Sequence, residues 1–252
     1  GNGEIGVDTV HIARHRVVPE PGGDRDDCAN AATSVDGGGL SVAPIRLMLS
    51  GTARSVSLVV SNPGDEPVTV QVRLFAWTMR GDEEVYDTAT DIGFSPPLFR
   101  LAPHAAQSVR VVAKVPPGPV ERSYRLIVDQ LPLANAPGQL QLPVRMVLPV
   151  FVEPTADISR RPMLEWSAHQ DAQSKKITIA VSNRGAVHAR LADLAIHDGV
   201  NSAVVAPGLA GYALAGQQRE WLYAADNLLE SLDITAHEGA RALRVTVPVT
   251  RR

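Results

Sequence analysis

The chain has 252 residues, of which 44% are hydrophobic and 20% charged, with a formal net charge of -3. That length holds one large domain or two of ordinary size, and the composition is that of a globular protein. No apolar run approaches the ~20 residues of a membrane helix, and the balance of charge lacks the basic stripe of a nucleic-acid surface. Neither membrane insertion nor a nucleic-acid partner is expected.

Residues 1–39 stand apart: they contain eight glycines, the cluster Pro19-Glu20-Pro21-Gly22-Gly23 and an acidic knot at Asp24–Asp27. This composition predicts a flexible or irregular segment, with one short strand over Val7–Val18 that covers an edge of the protein as a minority expectation. No continuous apolar stretch marks a signal peptide here, and Cys28, the single cysteine, has no internal disulfide partner.

From Ser41 onward, short runs of period two are divided by Gly, Pro, Asn and Asp. Ser55–Ser61 and Val68–Trp77 read as strands around the turn Asn62-Pro63-Gly64-Asp65. Ser108–Val115 and Ser123–Asp129 follow. The longest run is Leu140–Val152, where every even position is apolar: Leu140, Leu142, Val144, Met146, Leu148, Val150 and Val152. At ~3.3 Å per residue it would reach roughly 40 Å, about twice a usual strand. Pro143 and Pro149 confine it to a sheet edge or a bulge. A long apolar edge is an aggregation hazard, so a protein that keeps one is expected to pair it with another chain.

An internal repeat sets the domain count. Val60-Ser61-Asn62-Pro63-Gly64 returns as Val181-Ser182-Asn183-Arg184-Gly185, and Leu101-Ala102-Pro103-His104 with Gln107 is echoed by Leu214-Ala215-Gly216-Gln217. Two related β-sandwiches in tandem are predicted, joined through Glu153–Pro162.

Other chemistry is sparse. His11 and His15 have an i, i+4 spacing without the following Glu of a zinc helix, and the other five histidines are scattered, so they read as solvent-facing. No nucleophile elbow, phosphate loop or Cys/His cluster is present. No cofactor, metal or catalytic residue is assigned, and the chain is not read as an enzyme. Trp77, Trp166 and Trp221 read as sandwich packing residues.

Five segments, in order and spacing, carry a resemblance: SVAPIRLML (41–49), VSNPGDEPVTVQVRLFAW (60–77), SPPLFRLAP (95–103), SYRLIVDQLP (123–132) and LQLPVRMVLPVFVEP (140–154). Together they resemble the PapD-like periplasmic chaperones of the chaperone–usher pathway, closest to its archaic, spore-coat-like branch. The resemblance covers residues ~40–252. It implies an all-β chain of two tandem immunoglobulin-like β-sandwich domains in an L shape. The expected layout is an N-terminal segment over 1–39, a first domain over 40–155 and a second over 156–252.

The resemblance also implies a periplasmic protein that binds pilus or fimbrial subunits by lending a strand to each, then hands them to an outer-membrane usher. A self-capping dimer through the same strand is a further implied partner. Leu140, Leu142, Val144 and Met146 match the donor residues, while Leu148, Val150 and Val152 are assigned to the core. Each buried Leu or Val contributes about 1.5–3 kcal/mol, so four supply roughly 6–12 kcal/mol before ordering costs. Arg46 matches the first-strand Arg that anchors the subunit's terminal carboxylate, a role suited to its planar fork. Pro149 stands where better-known members have an anchoring Lys, which leaves Arg125 and Arg145 as candidates for the second cation. Without the resemblance, Arg46 reads as the partner of an acidic neighbour, Leu140–Val144 as core, and the whole chain as a tandem adhesion or scaffold module.

Overall fold

The computed structural model describes residues 35–37, 39–132, 143–155, 160–225 and 227–251. The expectations for Val7–Val18, His11, His15, Asp24–Asp27, Cys28, Leu140 and Leu142 fall outside the described residues. All the regular elements are strands. The first domain contains β1 (Val35–Gly37), β2 (Leu40–Ala43), β3 (Leu47–Leu49), β4 (Ser55–Ser61), β5 (Val68–Arg80) and β6 (Glu83–Thr88). It continues with β7 (Ile92–Ser95), β8 (Leu98–Leu101), β9 (Ala106–Ala113), β10 (Arg122–Leu131) and β11 (Arg145–Val152). The second contains β12 (Leu164–Gln170), β13 (Lys176–Asn183), β14 (Ala189–His197), β15 (Ser202–Ala213), β16 (Gln218–Ala224), β17 (Ser231–Glu238) and β18 (Arg241–Arg251).

In the first domain the order β1-β2-β4-β9-β7 forms one sheet and β3-β11-β10-β5-β6 the other, with β8 added to β5. Side chains alternate across each strand, so one parity of every strand meets the opposite sheet. Leu58 and Val60 of β4 thus share a core with Val70 and Val72 of β5, Leu126 and Val128 of β10, and Leu148, Val150 and Val152 of β11. The chain changes sheets between β2 and β3 through Pro44, Ile45 and Arg46. Strand pairing begins before residue 40, because Val35–Gly37 pairs antiparallel with Leu40–Val42. The irregular reading of 1–39 therefore does not hold for these three residues.

The second domain runs β15-β14-β17-β18-β12-β13-β16, folded so that Ile177, Ile179, Leu191, Leu194, Leu232 and Ile234 fill a separate core. Trp166 and Trp221 stack beside it at 5.9 Å between ring centroids.

The repeat has a structural cause. Asn62 and Asn183 are each 1% exposed and pin the same turn in the two domains. Asn62 donates to the carbonyls of Glu66 (2.8 Å) and Ala102 (3.1 Å) and accepts from Gly64 N–H (3.1 Å). Asn183 donates to Val187 (2.8 Å) and Ala213 (2.9 Å) and accepts from Gly185 (2.9 Å) and Met163 (3.0 Å). The downstream echo is real but displaced by one residue. The turn closed by Ala105 N–H on the Ala102 carbonyl matches the one closed by Gln217 N–H on the Leu214 carbonyl. His104 (φ 57°) and Gly216 (φ 69°) take its left-handed position. Removing a buried multi-bonded side chain leaves donors and acceptors unpaired. Asn183→Ala is therefore expected to destabilise the second domain by about 2–4 kcal/mol, read by denaturant unfolding followed through Trp166 and Trp221.

The last strands repeat too. β11 joins β3 in parallel over Val150–Val152, and β18 joins β12 in parallel over Val249–Arg251. A proline, Pro149 or Pro248, stands immediately before each parallel segment, and on each strand the pairing does not extend past it.

Three aspartates, Asp171 exposed and Asp198 and Asp233 half-buried, brace the second domain. Asp171 accepts from Ser174 and Gln173, Asp198 from Asn201 and Val200, and Asp233 from Thr246 and Arg244. These hydrogen bonds favour the carboxylates and hold all three below the ordinary 3.8. A depressed folded pKa gives stability that is present above the unfolded value and lost as pH falls through the folded one. The second domain is therefore expected to keep its full stability above about pH 4 and lose it below, as acid titration of its unfolding midpoint would reveal.

Candidate functional site

The candidate site lies on the face of the β3-β11-β10-β5-β6 sheet that turns away from the first core, and on the open edge of β11. Gln130 N–H donates to the Val144 carbonyl at 2.8 Å. Even residues of β11 therefore bond to β10, while odd residues point their backbone groups to the other side. There β3 pairs only with Val150–Val152. Arg145 and Val147 thus present N–H and C=O groups that no described residue pairs at this edge, while Pro149 brings no N–H to it. Among the described residues, no strand pairs with this stretch.

Parity divides the donor candidates from the rest of the strand. Val144 is half-buried and packs against the first core, and Met146 is a member of that core at 6% exposure. Leu148, Val150 and Val152 are core residues, as their phase predicts. The predicted strand is seen from Arg145 onward, with one further backbone bond at Val144.

The three candidate arginines meet different fates. Arg46 sits half-buried in the bend before β3, and its side chain has no hydrogen bond or ion pair with any described residue. It immediately precedes Leu47, the partner of Val150, so Arg46 and Pro149 end the parallel register on their two strands. On the other side Pro149 faces Arg125 of β10. The two arginines therefore flank the proline in one row across the sheet.

Arg125 is already engaged. Its Nη2 and Nε donate to the two Glu84 oxygens at 2.6 and 3.1 Å, and its guanidinium lies 3.5 Å over the Trp77 ring. It is 8% exposed. Arg145 is held as well: its Nε donates to Asp129 Oδ1 at 2.6 Å, and Arg73 takes the other oxygen at 2.6 Å. Of the three, Arg46 alone keeps its guanidinium unpaired among the described residues.

Next to this row the second domain closes over the sheet. Trp77, Phe151, Tyr212 and Leu214 form a third buried cluster, with Met48 and Met79 against it. Trp77 is therefore a junction residue and not a sandwich packing residue, because Trp77 and Met79 lie on the face of β5 turned away from the first core, where Tyr212 and Leu214 of the second domain cover them. His188 is likewise not solvent-facing. It stacks on Phe151 at 3.7 Å and 9°, and its Nδ1 lies 2.7 Å from Glu121, whose side chain is 1% exposed.

The β5–β6 hairpin reaches across to the β16 edge. Met79 N–H donates to Gln217 Oε1 at 2.8 Å, and Glu220 N–H donates to the Gly81 carbonyl at 3.1 Å. Glu84 also accepts from the Tyr86 hydroxyl, and burial beside that carboxylate pushes the phenol up to about 12. Burial lowers Arg219, which sits 3.9 Å from Glu84. Sequence reasoning missed Glu84, Asp129, Glu121 and Tyr212. Their only local signal is a polar or aromatic residue in strand phase, and their partners lie on other strands.

Relatives of known structure share this architecture. A chain of the CsuC–CsuE chaperone–tip adhesion subunit pre-assembly complex, from the archaic Csu pili of Acinetobacter baumannii, superposes with a TM-score of 0.63 at 21% identity. That match covers 88% of this chain and 100% of the other. The Salmonella enterica SafA pilin–SafB chaperone complex gives 0.57 at 16% identity, covering 85% and 99% of the two chains. The E. coli chaperone DraB gives 0.55 at 19%, covering 82% and 95%. No curated protein matches the chain by sequence. Residues 39–157 match the family model of the PapD N-terminal domain, described as a pili and flagellar-assembly chaperone. That match spans β2 to β11 of the first domain, which carries the open edge, and makes this domain similar to the PapD N-terminal domain of pilus chaperones.

Proposed function

We propose that this protein is a periplasmic chaperone that holds pilus subunits by donating the strand Leu140–Met146 and passes them to an outer-membrane usher. The observation that carries this is the open edge of β11. Among the described residues nothing pairs the backbone groups that Arg145 and Val147 offer there, while Val144 and Met146 mark the apolar parity that Leu142 and Leu140 continue in sequence. A subunit lacking its last strand exposes both an apolar trough and an unpaired edge, and an added strand repairs both.

Arg46 is the carboxylate anchor in this proposal, because its guanidinium is unpaired among the described residues and it stands at the end of the donor register. Arg125 shapes the floor of the row from its pair with Glu84, and Arg145 works from its pair with Asp129. A one-residue slip would turn the apolar parity away from the groove, so an anchored carboxylate selects the register. The relatives whose solved complexes contain a pilin or a tip adhesion subunit support a subunit as the partner.

The test is capture. The tagged chain, expressed in the periplasm of its own host, is expected to retain a small secreted β protein. Slow amide exchange across 140–144 in the isolated monomer would instead favour a tandem scaffold whose strand is covered within its own domain.

A further inference from the structure

We infer that Asp129 is a positioning residue that clamps the register of β11 at the point where its open edge begins. Asp129 lies on β10, on the face opposite the first core, and is 7% exposed. It is the cross-strand partner of Arg145, whose Nε meets Oδ1 at 2.6 Å. Oδ2 receives Arg73 Nη2 from β5 at 2.6 Å. One nearly buried carboxylate thus ties three adjacent strands together, with Arg145 directly across from it and Arg73 on the diagonal.

The position of this carboxylate gives the clamp its use. Asp129 and Arg145 form a non-hydrogen-bonded pair, in which side chains approach most closely. Among the described residues they are also the last partners in the β10–β11 ladder, beyond which only the Gln130–Val144 backbone bond remains. On its other side β11 has no partner before Val150 among the described residues. Backbone bonding on one side alone tolerates a slip of two residues, since parity is preserved. Such a slip sets Val147 or Pro143 against Asp129, leaving the carboxylate without Arg145 in a place with little access to water. The pair therefore penalises the slip that alternation permits. Val144 and Met146, the neighbours of Arg145, are held opposite Gln130 and Val128 as a result. This use of the clamp rests on the proposed strand donation, because the register matters most if Leu140–Met146 must meet pockets in a partner.

The experiment is amide exchange on the isolated chain, read at Met146 and Leu148, which the ladder turns toward β10, against β4 in the opposite sheet. Asp129→Asn is expected to speed exchange at Met146 and Leu148 about tenfold or more while leaving Leu58 and Val60 unchanged. Asp129→Glu restores protection at least in part. Arg145→Gln reproduces the effect, and the double variant Asp129→Asn with Arg145→Gln goes no further. Unchanged exchange at Met146 and Leu148, or an equal rise in β4, overturns the inference. If Asp129→Asn does not fold, Arg145→Gln decides the matter, since that side chain is 54% exposed. Subunit capture by Leu142→Glu, read beside the exchange of Asp129→Asn, separates the two proposals. Capture that survives Leu142→Glu removes strand donation and leaves the clamp's exchange signature standing. Capture that is lost with Leu142→Glu, alongside unchanged exchange in Asp129→Asn, removes the clamp alone.

Discussion

Leu142→Glu is expected to abolish subunit capture while the chain keeps its fold. Two effects add in the same direction. The apolar side chain contributes about 1.5–3 kcal/mol when it fills a pocket. Its replacement carries a charge into an apolar groove without a partner, which costs several kcal/mol more. A total of about 4 kcal/mol corresponds to roughly a thousandfold loss of affinity, enough to empty a pull-down. The fold should survive, because the first core is completed by Leu148, Val150 and Val152. Val144→Glu is the companion variant, expected to act on capture in the same way. It also touches the first core, so its unfolding midpoint must be read beside its binding. Capture that persists in both variants would end the strand-donation proposal.

The second large effect is expected at the domain junction. Glu84 is the countercharge of Arg125, whose side chain is 10% exposed and stacked on Trp77. Glu84→Gln preserves size and some hydrogen bonding but leaves Arg125 charged among aromatic rings. Breaking a buried pair by removing one partner costs about 3–5 kcal/mol. Glu84 is 25% exposed, so solvent screening places the expected loss near 3 kcal/mol. For a chain of this size that lowers the melting midpoint by roughly 6–12 °C. The loss should spread beyond β6, since the same carboxylate lies 3.9 Å from Arg219 in the second domain. Scanning calorimetry would be expected to show the two domains unfolding less cooperatively. A Glu84→Gln protein that melts like the wild type would mean that Arg125 is held by Trp77 and Tyr212 alone.

Much of this architecture was legible in residue order. Period-two runs located β4 to the residue and placed β5, β9 and β10 within a few residues, because alternation is a local consequence of the extended backbone. The recurrence of Asn62 as Asn183 disclosed two domains, since a buried asparagine that pins a turn has few substitutes. The phase of Leu148, Val150 and Val152 marked them as core. Trp77 and His188 were misread for a shared reason. Their phase says which face of a strand they occupy, but not that a second domain covers that face.

The candidate anchor shows the same boundary. Sequence could nominate Arg46, Arg125 and Arg145 but not rank them, because an arginine's availability depends on where the nearest carboxylate falls. Glu84 is 41 residues from Arg125, and Asp129 is 16 from Arg145. Only strand register brings each pair within hydrogen-bond distance.

The chain's own order therefore determined the strand content, the duplication and the long apolar parity of 140–152, all of which follow from local geometry and side-chain hydrophobicity. Tertiary structure alone decided that β3 covers β11 only past Pro149, that two of three arginines are neutralised, and that Arg46 is left unpaired among the described residues. Register and charge pairing act between strands that are distant in sequence, and no local pattern records them.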